Sequence, residues 1–542
     1  MSARRVQVLV ISALLLTRGT AAAMPIETDS DVRLDWNNTF QVTLVDQPGS
    51  VSYGPYGRCL PSSYDGLGGG AQQYCASRYG LVSSRIDWLS QVTLNYRDVG
   101  FEISSAAWYD PSYQSWKRQN PAPAAAMVAQ SYFTQSGNDP VGGIELWDAA
   151  VYGTTDLGTD QPLTVRLGRQ VALWGESLYF VENGIAGGQA PIDTYRYPVS
   201  GYYQASHVFL PVGQASFSWQ PTSDLALLGY YQFEWRRSRI STYDAYDDTA
   251  TMLENQYTRQ IVLPIRGGGA IAYDRTSDLA PGSTGQFGLG ARYHGGDFDW
   301  GLYALRFDAK TPELYFGVPG STSGIGSYTL VYPKGIEAYG VSLAGPLGDA
   351  SFGAELSARR RMPLVNAGIL LAPGMLADND AHPAYPVGDT LHGQFSFDYA
   401  TPPLPGVPGG ANWTGELAFN DLLAATANAD ALLPGRTRFA AALRTVFEPQ
   451  FFQVLPRLDL SLPIGLGYNL IGRSETDPAM NRGTADVTIG TSLTFDQRWK
   501  VALSATHYFG DTGNAYLPLY GVAVKHPLSD QDFLLLSLTR SF

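Results

Sequence analysis

The sequence has no long apolar run beyond its first residues. From residue 24 onward it contains no stretch of about 18 uncharged apolar residues, which is the length that a transmembrane helix needs. The mean hydropathy of −0.11 does not indicate a helical membrane protein either. The 542 residues are nevertheless 44% hydrophobic and 12% aromatic. A transmembrane β-barrel reconciles these values, because its apolar residues occupy every second position of each strand.

Positive charge and histidine are also scarce. The formal net charge of −13 argues against a nucleic acid as partner. None of the six histidines lies at a metal-ligand spacing from another. Ser177, in Gly175-Glu-Ser, lacks the following glycine of a nucleophile elbow. We therefore predict no catalysis and no cofactor, with calcium bound by the acidic loops at 378–380 or 244–248 as the alternative.

The first 23 residues resemble a secretory signal peptide. Arg4 and Arg5 precede a short apolar run, and small residues at 20–23 follow it. The run is too short to span a bilayer as a helix. We expect residues 1–23 to be removed and residues 24–542 to form one domain.

Only two cysteines occur, Cys59 and Cys75, and both lie in one glycine-rich stretch. In an exported protein such a pair typically forms a disulfide within a loop. Metal ligation is the alternative, but no histidine lies nearby. We expect these two residues to be bridged.

The last residues alternate up to a terminal aromatic. Leu534, Leu536, Leu538 and Arg540 lead at period two to Phe542. Such an ending is typical of the closing strand of an outer-membrane barrel, whose last aromatic lies in the interfacial girdle. We predict that Phe542 belongs to the signal that the barrel-assembly machinery reads. Arg540 departs from this pattern, because an aromatic residue is usual there.

Alternation recurs throughout the chain. In 85–97, for example, Trp88, Val92 and Leu94 alternate with Asp87 and Thr93. About 18 such segments follow one another, and their connections alternate between short and long. We predict an all-β fold: a single antiparallel transmembrane barrel of 16 to 18 strands in the bacterial outer membrane, with periplasmic termini and long extracellular loops. A soluble β-sandwich is the alternative, but its pattern would not continue for some 500 residues without a domain break.

The predicted lumen carries charges of both signs. They are Arg85, Asp87, Glu102, Arg166, Glu234, Arg236, Arg292, Glu355, Arg359, Arg361, Glu416, Arg438, Arg444, Arg457 and Asp459. These charges either form a network that holds a plug, or line a substrate path as selectivity charges.

A stretch at 168–177 leaves strict alternation and leads into a loop near 173–210 that is long enough to fold inward. An inward-folded plug is therefore expected, and a loop folded over the rim is the alternative. The candidate plug and lumen residues are Arg169, Trp174, Glu176, Arg236, Arg359, Arg438 and Arg444.

Three predicted loops are unusually apolar, at 122–129, 363–376 and 422–433. Exposed runs of this kind promote association. The loops either pack on one another as a lid or form an apolar capture site at the mouth of the barrel. The candidate residues of such a mouth are Met127, Leu364, Ile369, Leu370, Leu371, Leu422 and Leu423.

Four segments resemble one family: NYRDVGFEISSAAWYD, RLGRQVALWGES, LALLGYYQFEW and LSDQDFLLLSLTRSF. The family is a proteobacterial outer-membrane β-barrel family known only as a domain of unknown function. Its members typically accompany a periplasmic or lipoprotein partner with a LolB-like fold and an RND-superfamily permease of the hydrophobe-exporter type. The resemblance implies movement of hydrophobic small molecules or lipids across the outer membrane.

We therefore predict uptake or export of hydrophobic small molecules or lipids. A substrate-specific porin for aromatic or organic acids is the first alternative, because lumen arginines bind carboxylates. An outer-membrane enzyme and a structural barrel are the others.

Overall fold

The computed structural model describes residues 24–27, 31–48, 80–112, 142–193, 209–239, 260–264, 270–319, 324–510, 515–517, 522–524 and 532–542. The expected signal peptide, Cys59, Cys75, Met127 and the acidic loop at 244–248 lie outside these residues. Signal cleavage, the disulfide and the role of 122–129 therefore stay predictions.

The described chain consists mainly of β-strands. In chain order they are β1 (Met24–Glu27), β2 (Val32–Gln47), β3 (Gly80–Tyr96), β4 (Val99–Tyr109), β5 (Gly142–Asp156), β6 (Pro162–Gln170), β7 (Val212–Thr222), β8 (Leu225–Gln232), β9 (Gln260–Pro264), β10 (Ala270–Arg275), β11 (Gln286–Gly295), β12 (Phe298–Phe307), β13 (Glu313–Gly317), β14 (Gly326–Val331), β15 (Ile336–Leu347), β16 (Ala350–Pro363), β17 (Ile369–Leu371), β18 (Val387–Ala400), β19 (Ala411–Ala427), β20 (Phe439–Leu455), β21 (Leu458–Ser461), β22 (Ile464–Ile471), β23 (Thr484–Phe495), β24 (Trp499–Gly510), β25 (Ala515–Leu517), β26 (Val522–Val524) and β27 (Phe533–Ser541). Two 3-10 turns lie at Ile185–Gly188 and Ala429–Ala431.

The strands close into one antiparallel barrel of 18 strands, which lies within the 16 to 18 that the sequence predicts. The order around the wall is β2 to β8, β11, β12, β15, β16, β18 to β20, β21 with β22, β23, β24 and β27. β21 and β22 share one position, because both pair with β20 and with β23. β27 then pairs with β2 and closes the ring. A closed ring leaves no unpaired edge, which a bilayer would not tolerate.

Tight turns join the strands at one end of the barrel. They include 97–98, 296–297, 348–349 and 496–498, whereas every connection of more than ten residues joins strands at their opposite ends. Arg97 and Asp496 adopt positive φ there, as hairpin turns require. This confirms the predicted alternation of short and long connections, and the end with the tight turns is the periplasmic one.

Phe542 lies at this periplasmic end and completes the closure. Its backbone exchanges hydrogen bonds with Asn38 of β2, at N–O distances of 2.7 and 2.9 Å. The guanidinium of Arg540 lies 4.8 Å from the ring centroid of Trp499 and 5.2 Å from that of Phe542. The arginine therefore occupies the position where an aromatic residue is usual, and cation–π contacts hold it between two rings.

The outer wall is apolar. Leu302, Val341 and Leu356 form one row across three neighbouring strands, and all three side chains are exposed. Polar partners alternate with them on the inner face, as in Ser342 and Glu355, which are buried. A ring of exposed apolar side chains is stable only in hydrocarbon, so the barrel lies in the bacterial outer membrane. Within the described part of the chain, no helix is long and apolar enough to cross a bilayer.

A five-stranded sheet lies on the extracellular side, in the order β17, β13, β14, β10 and β9. Its strands come from three separate long connections. Two of its pairings, β10 with β14 and β13 with β17, are parallel. Tyr315, Val331, Tyr385 and Val387 form a buried cluster beneath it. The sheet gives the extracellular end of the barrel a defined apolar structure.

Candidate functional site: the lumen and its inward segment

The residues that follow β6 enter the lumen. We call residues 171–193 the inward segment. Its backbone contacts Glu355 and Arg359 of β16 and Glu416 of β19. These three side chains alternate with outward-facing Leu356 and Leu417, so they point into the barrel. The inward segment therefore packs against the inner face of the wall at β16 and β19.

Two carboxylates bind the amides of the inward segment. Glu355 accepts the N–H of Glu176 at 2.9 Å and that of Ile185 at 3.0 Å. Glu416 accepts the consecutive N–H groups of Leu178, Tyr179 and Phe180. Successive amides that converge on one oxygen pair form a concave anion site. Each carboxylate thus has the donors that a buried charge needs.

Arg359 binds backbone carbonyl groups of the same segment, whose partial charge is opposite to that of the amides. Its guanidinium donates to the carbonyls of Glu182 at 3.1 Å, Asn183 at 2.6 Å and Gly184 at 2.8 Å. Glu355 and Arg359 are four residues apart on β16, and both side chains are buried on its inner face. The strand therefore offers an acceptor and a donor in sequence, and the inward segment presents amides to one and carbonyls to the other.

Aromatic packing attaches the segment to the other side of the barrel. Trp174 lies 5.0 Å from Tyr230 and 5.8 Å from Tyr303, measured between ring centroids. Lys310 donates from Nζ to the carbonyl of Gly188 at 3.0 Å, and burial lowers the pKa of Lys310 to about 8. Burial also raises the pKa of Glu176, against the attraction of nearby Arg292. The segment is thus held from both walls of the lumen.

Several polar residues of this site are not among the candidates predicted from the sequence. Asn183 binds the carbonyls of Gly393 and Phe419, and its Oδ1 lies 3.0 Å from Nδ1 of His392. Gln394 donates to Glu355 at 2.6 Å. His392 and Gln394 alternate along β18 on its inner face, so the period-two pattern could have identified both.

Arg169 and Arg236 belong to a second charged cluster, at the extracellular ends of β5 to β8. Glu145 of β5 pairs with Arg236 at 2.5 Å and also with Arg239. Arg169 donates to Glu234 at 3.3 Å and to a backbone carbonyl of β5. Arg169 therefore lies beside the inward segment and is bound to the barrel wall.

Arg444 and Arg438 lie on the far wall. Arg444 pairs with Asp486 at 2.7 Å in the lumen. Arg438 lies just before β20 at the extracellular rim, where its guanidinium donates to the carbonyls of Leu422 and Leu423. Each of these two cations therefore has hydrogen-bond partners within the protein.

Arg361 and Arg457 were also predicted to face the lumen, and they lie outside it. Arg361 adopts a φ of 60° at a β-bulge between Arg359 and Met362, and it binds Asp380 at the rim. Arg457 lies in a periplasmic turn and pairs with Asp496. Strict alternation assigns faces wrongly where a bulge or a turn adds a residue.

The family of the chain follows from its whole length. Residues 4–542 match the model of a family described as "Protein of unknown function (DUF1302)". The chain belongs to this family. No curated protein matches this DUF1302 chain.

Solved outer-membrane channels are similar to this DUF1302 protein only distantly. OccD3 (OpdP) of Pseudomonas aeruginosa is 10% identical, with 96% of this chain and 93% of that chain covered and a TM-score of 0.41. P. aeruginosa OpdK, solved with vanillate, is 10% identical over 94% and 98% of the two chains, at 0.40. The channel DcaP of Acinetobacter baumannii is 8% identical over 96% and 99%, at 0.37. With TM-scores below 0.5, these likenesses support nothing about the ligand of this chain.

The apolar mouth residues of the DUF1302 barrel divide into two groups. Leu364 and Leu422 are buried at the extracellular end of the lumen, whereas Leu423 faces outward. Ile369–Leu371 forms β17 of the extracellular sheet, where Leu370 is 47% exposed. A backbone bond from Leu433 to the carbonyl of Val365 joins segments 363–376 and 422–433. The structure thus brings two of the three predicted apolar segments together.

The acidic loop at 378–380 uses its carboxylates within the protein. Asp378 accepts the backbone N–H groups of Asp380 and His382. Asp380 pairs with Lys334 and Arg361. Across the described residues, no three His, Cys, Asp or Glu side chains come close enough together to hold a metal ion.

Proposed function

We propose that this protein moves hydrophobic small molecules or lipids across the outer membrane, without catalysis. One observation carries the proposal. The extracellular connections expose large apolar side chains to water: Val318, Ile325, Leu370, Met375 and Leu376, of which Leu376 is 92% exposed. These residues lie beyond the membrane-facing wall, so lipid does not explain their exposure. We infer a binding site there, because exposed apolar surface on a folded protein is typical of sites that bind ligands or partners.

The inward segment acts as a plug in this proposal. Its contacts with Glu355, Arg359 and Glu416 restrict the lumen to the space that the segment leaves. Without it, an 18-stranded barrel is wide enough for an aqueous channel. A restricted lumen suits a protein that transfers individual captured molecules.

The candidate arginines favour this function over a porin for organic acids. Arg169, Arg236 and Arg444 pair with carboxylates. Arg359 and Arg438 donate to backbone carbonyls. A carboxylate substrate would have to displace these partners and leave buried groups unsatisfied, which costs about 1–3 kcal/mol for each group.

We further propose that the barrel acts with other proteins. The family resemblance suggests a LolB-like periplasmic protein or lipoprotein and an RND-type permease in the inner membrane. A passive barrel has no energy source of its own, so a permease would set the direction of transport. Outer-membrane lipid and the barrel-assembly machinery complete the proposed partners.

The test replaces three exposed apolar residues, as L370S/M375S/L376S. The purified barrel is extracted for co-purifying apolar ligand, identified by mass spectrometry, and titrated with the apolar dye N-phenylnaphthylamine. We expect the triple variant to bind the dye at least about tenfold more weakly, since each buried apolar side chain contributes about 1.5–3 kcal/mol. Leu157→Ser is the matched control, because Leu157 is 58% exposed in a periplasmic turn.

Unchanged dye binding in the triple variant, together with no co-purifying apolar molecule, would contradict the proposal. Large anion-selective current steps in a planar bilayer would then support the organic-acid porin.

A further inference from the structure

Four cations gather on the outside of the barrel at its extracellular rim. We call Arg306, Lys334, Arg360 and Arg361 the outer-rim basic cluster. Arg306 of β12 and Arg360 of β16 are both Cα partners of Glu337 on β15, so the three residues form one row across adjacent strands.

This row lies directly above the lipid-facing wall. Four residues toward the periplasm along each strand, the corresponding row is Leu302, Val341 and Leu356, which is exposed and apolar. Outward-facing Tyr339 lies between the two rows, and its hydroxyl donates to Glu337 at 3.3 Å. The cluster therefore lies where the hydrocarbon ends and the headgroups of the outer leaflet begin.

Two guanidinium groups of the cluster converge. A Cβ placed on Gly335 would lie 3.1 Å from Nη1 of Arg361 and 3.4 Å from Nη2 of Arg306. Two like charges that reach one point repel each other unless an anion lies between them. Arg306 forms no ion pair or side-chain hydrogen bond with any residue that the structure describes.

The carboxylates nearby only partly neutralise the cluster. Asp380 pairs with Arg361 at 2.9 Å and with Lys334 at 3.3 Å. Glu337 lies 3.8 Å from Arg360, and both side chains are substantially exposed. Asp308 is buried behind Gly335, where it accepts the Gly335 N–H at 2.8 Å. The surface thus keeps a local positive charge on a protein whose net charge is −13.

We propose that the outer-rim basic cluster binds a phosphate group of an outer-leaflet lipid. Arginine is suited to this ligand, because its planar fork of donors matches phosphate oxygens in pairs. The acyl chains of the same lipid lie along the apolar row of Leu302, Val341 and Leu356. A phosphorylated lipid fits both features, whereas free phosphate would use only the first.

The test measures binding of lipid A, a lipid with two phosphates, to the whole barrel in neutral detergent by native mass spectrometry. The double variant R306Q/R360Q removes two cations of the row. Arg457→Gln is the matched control, because Arg457 is an exposed arginine in a periplasmic turn. Faster gel migration of unheated protein verifies that each variant is folded.

We expect R306Q/R360Q to weaken lipid A binding at least about tenfold, because the variant loses two charge-assisted contacts with phosphate. Arg457→Gln should bind like the native chain. Enzymatically dephosphorylated lipid A should bind the native chain and the double variant equally weakly.

Two results would overturn the proposal. Equal binding of lipid A by the folded double variant and the native chain would remove the cluster as the site. Displacement of lipid A by millimolar inorganic phosphate would identify a site for free phosphate and not for a lipid. Neither result bears on the transported molecule.

Discussion

At the scale of single residues, buried charged side chains of the barrel wall bind the backbone of the inward segment. Each charged side chain meets backbone groups of the opposite partial charge. Glu416 meets three consecutive amides, and Arg359 meets three consecutive carbonyls a few residues further on. Both ions are buried, so each bond forms in a medium of low dielectric constant, where an unpaired partner is costly. Such sites hold one backbone conformation and reject others.

A single carboxyl group makes the extracellular sheet sensitive to pH. Burial raises the pKa of Glu313 on β13 to about 7, and only the Asn366 amide, at 2.5 Å, favours its charged form. Because the pKa is raised, the stability that protonated Glu313 contributes is fully present below its ordinary pKa of about 4.5. That stability is lost as the pH rises through about 7. The loss is at most about 3 kcal/mol.

We expect Glu313→Gln to abolish this dependence. Hydrogen exchange of β13 and β14 should be equal in the variant and the native chain at pH 5. At pH 8 the native chain should exchange faster. Asp430→Asn, at an exposed extracellular carboxyl group, is the control and should match the native chain at both pH values. Equal protection of the native chain and Glu313→Gln at pH 8 would contradict the role of Glu313.

At the scale of elements, the inward segment is one unit held by a few anchors. It follows β6 in the chain, yet it makes polar contacts with β16 and β19 on another wall. Removing the anchors should therefore release the segment while the barrel wall stays intact.

The double variant R359A/E416A removes one anchor of each sign and leaves the net charge unchanged. We expect small or absent conductance for the native barrel in a planar bilayer, and larger, flickering steps for the variant, because the segment then leaves the lumen. The control R166A/E102A removes another lumen ion pair, whose atoms lie 2.5 Å apart on β6 and β4. Native-like conductance in R359A/E416A, or equal steps in the control, would show that the segment does not close the lumen.

At the scale of the whole molecule, one seam decides whether the barrel closes: the pairing of β27 with β2 and β24. Leu536 of β27 pairs with Leu44 of β2 on one side and with Leu503 of β24 on the other. A proline at this position lacks the N–H that the ladder needs, and proline is found essentially only at sheet edges. The closing strand has no such edge.

We expect Leu536→Pro to prevent closure. The native chain should migrate faster on a gel when unheated than when boiled, and the variant should migrate alike in both states. Leu536→Ile keeps the N–H and the apolar surface, so it should behave like the native chain. A heat-modifiable Leu536→Pro protein would mean that this seam does not control folding.

The sequence by itself determined the barrel, a strand number between 16 and 18, and the two faces of its strands. The physical reason is that alternation is local: each residue faces lipid or lumen according to its parity within one strand. Trp88 and Leu94 are exposed on the outside and Arg85 is buried, as their positions predict. Where a bulge breaks the parity, as at Arg361, the sequence indicated the wrong face.

Only the tertiary structure decided which lumen charges meet the inward segment. Glu416 and Tyr179 are 237 positions apart, and they meet because closure brings β19 opposite the loop after β6. The extracellular sheet has the same origin, since β13 and β17 belong to different loops. No local pattern encodes such pairings, because they depend on where the closed wall places residues that are distant in the chain.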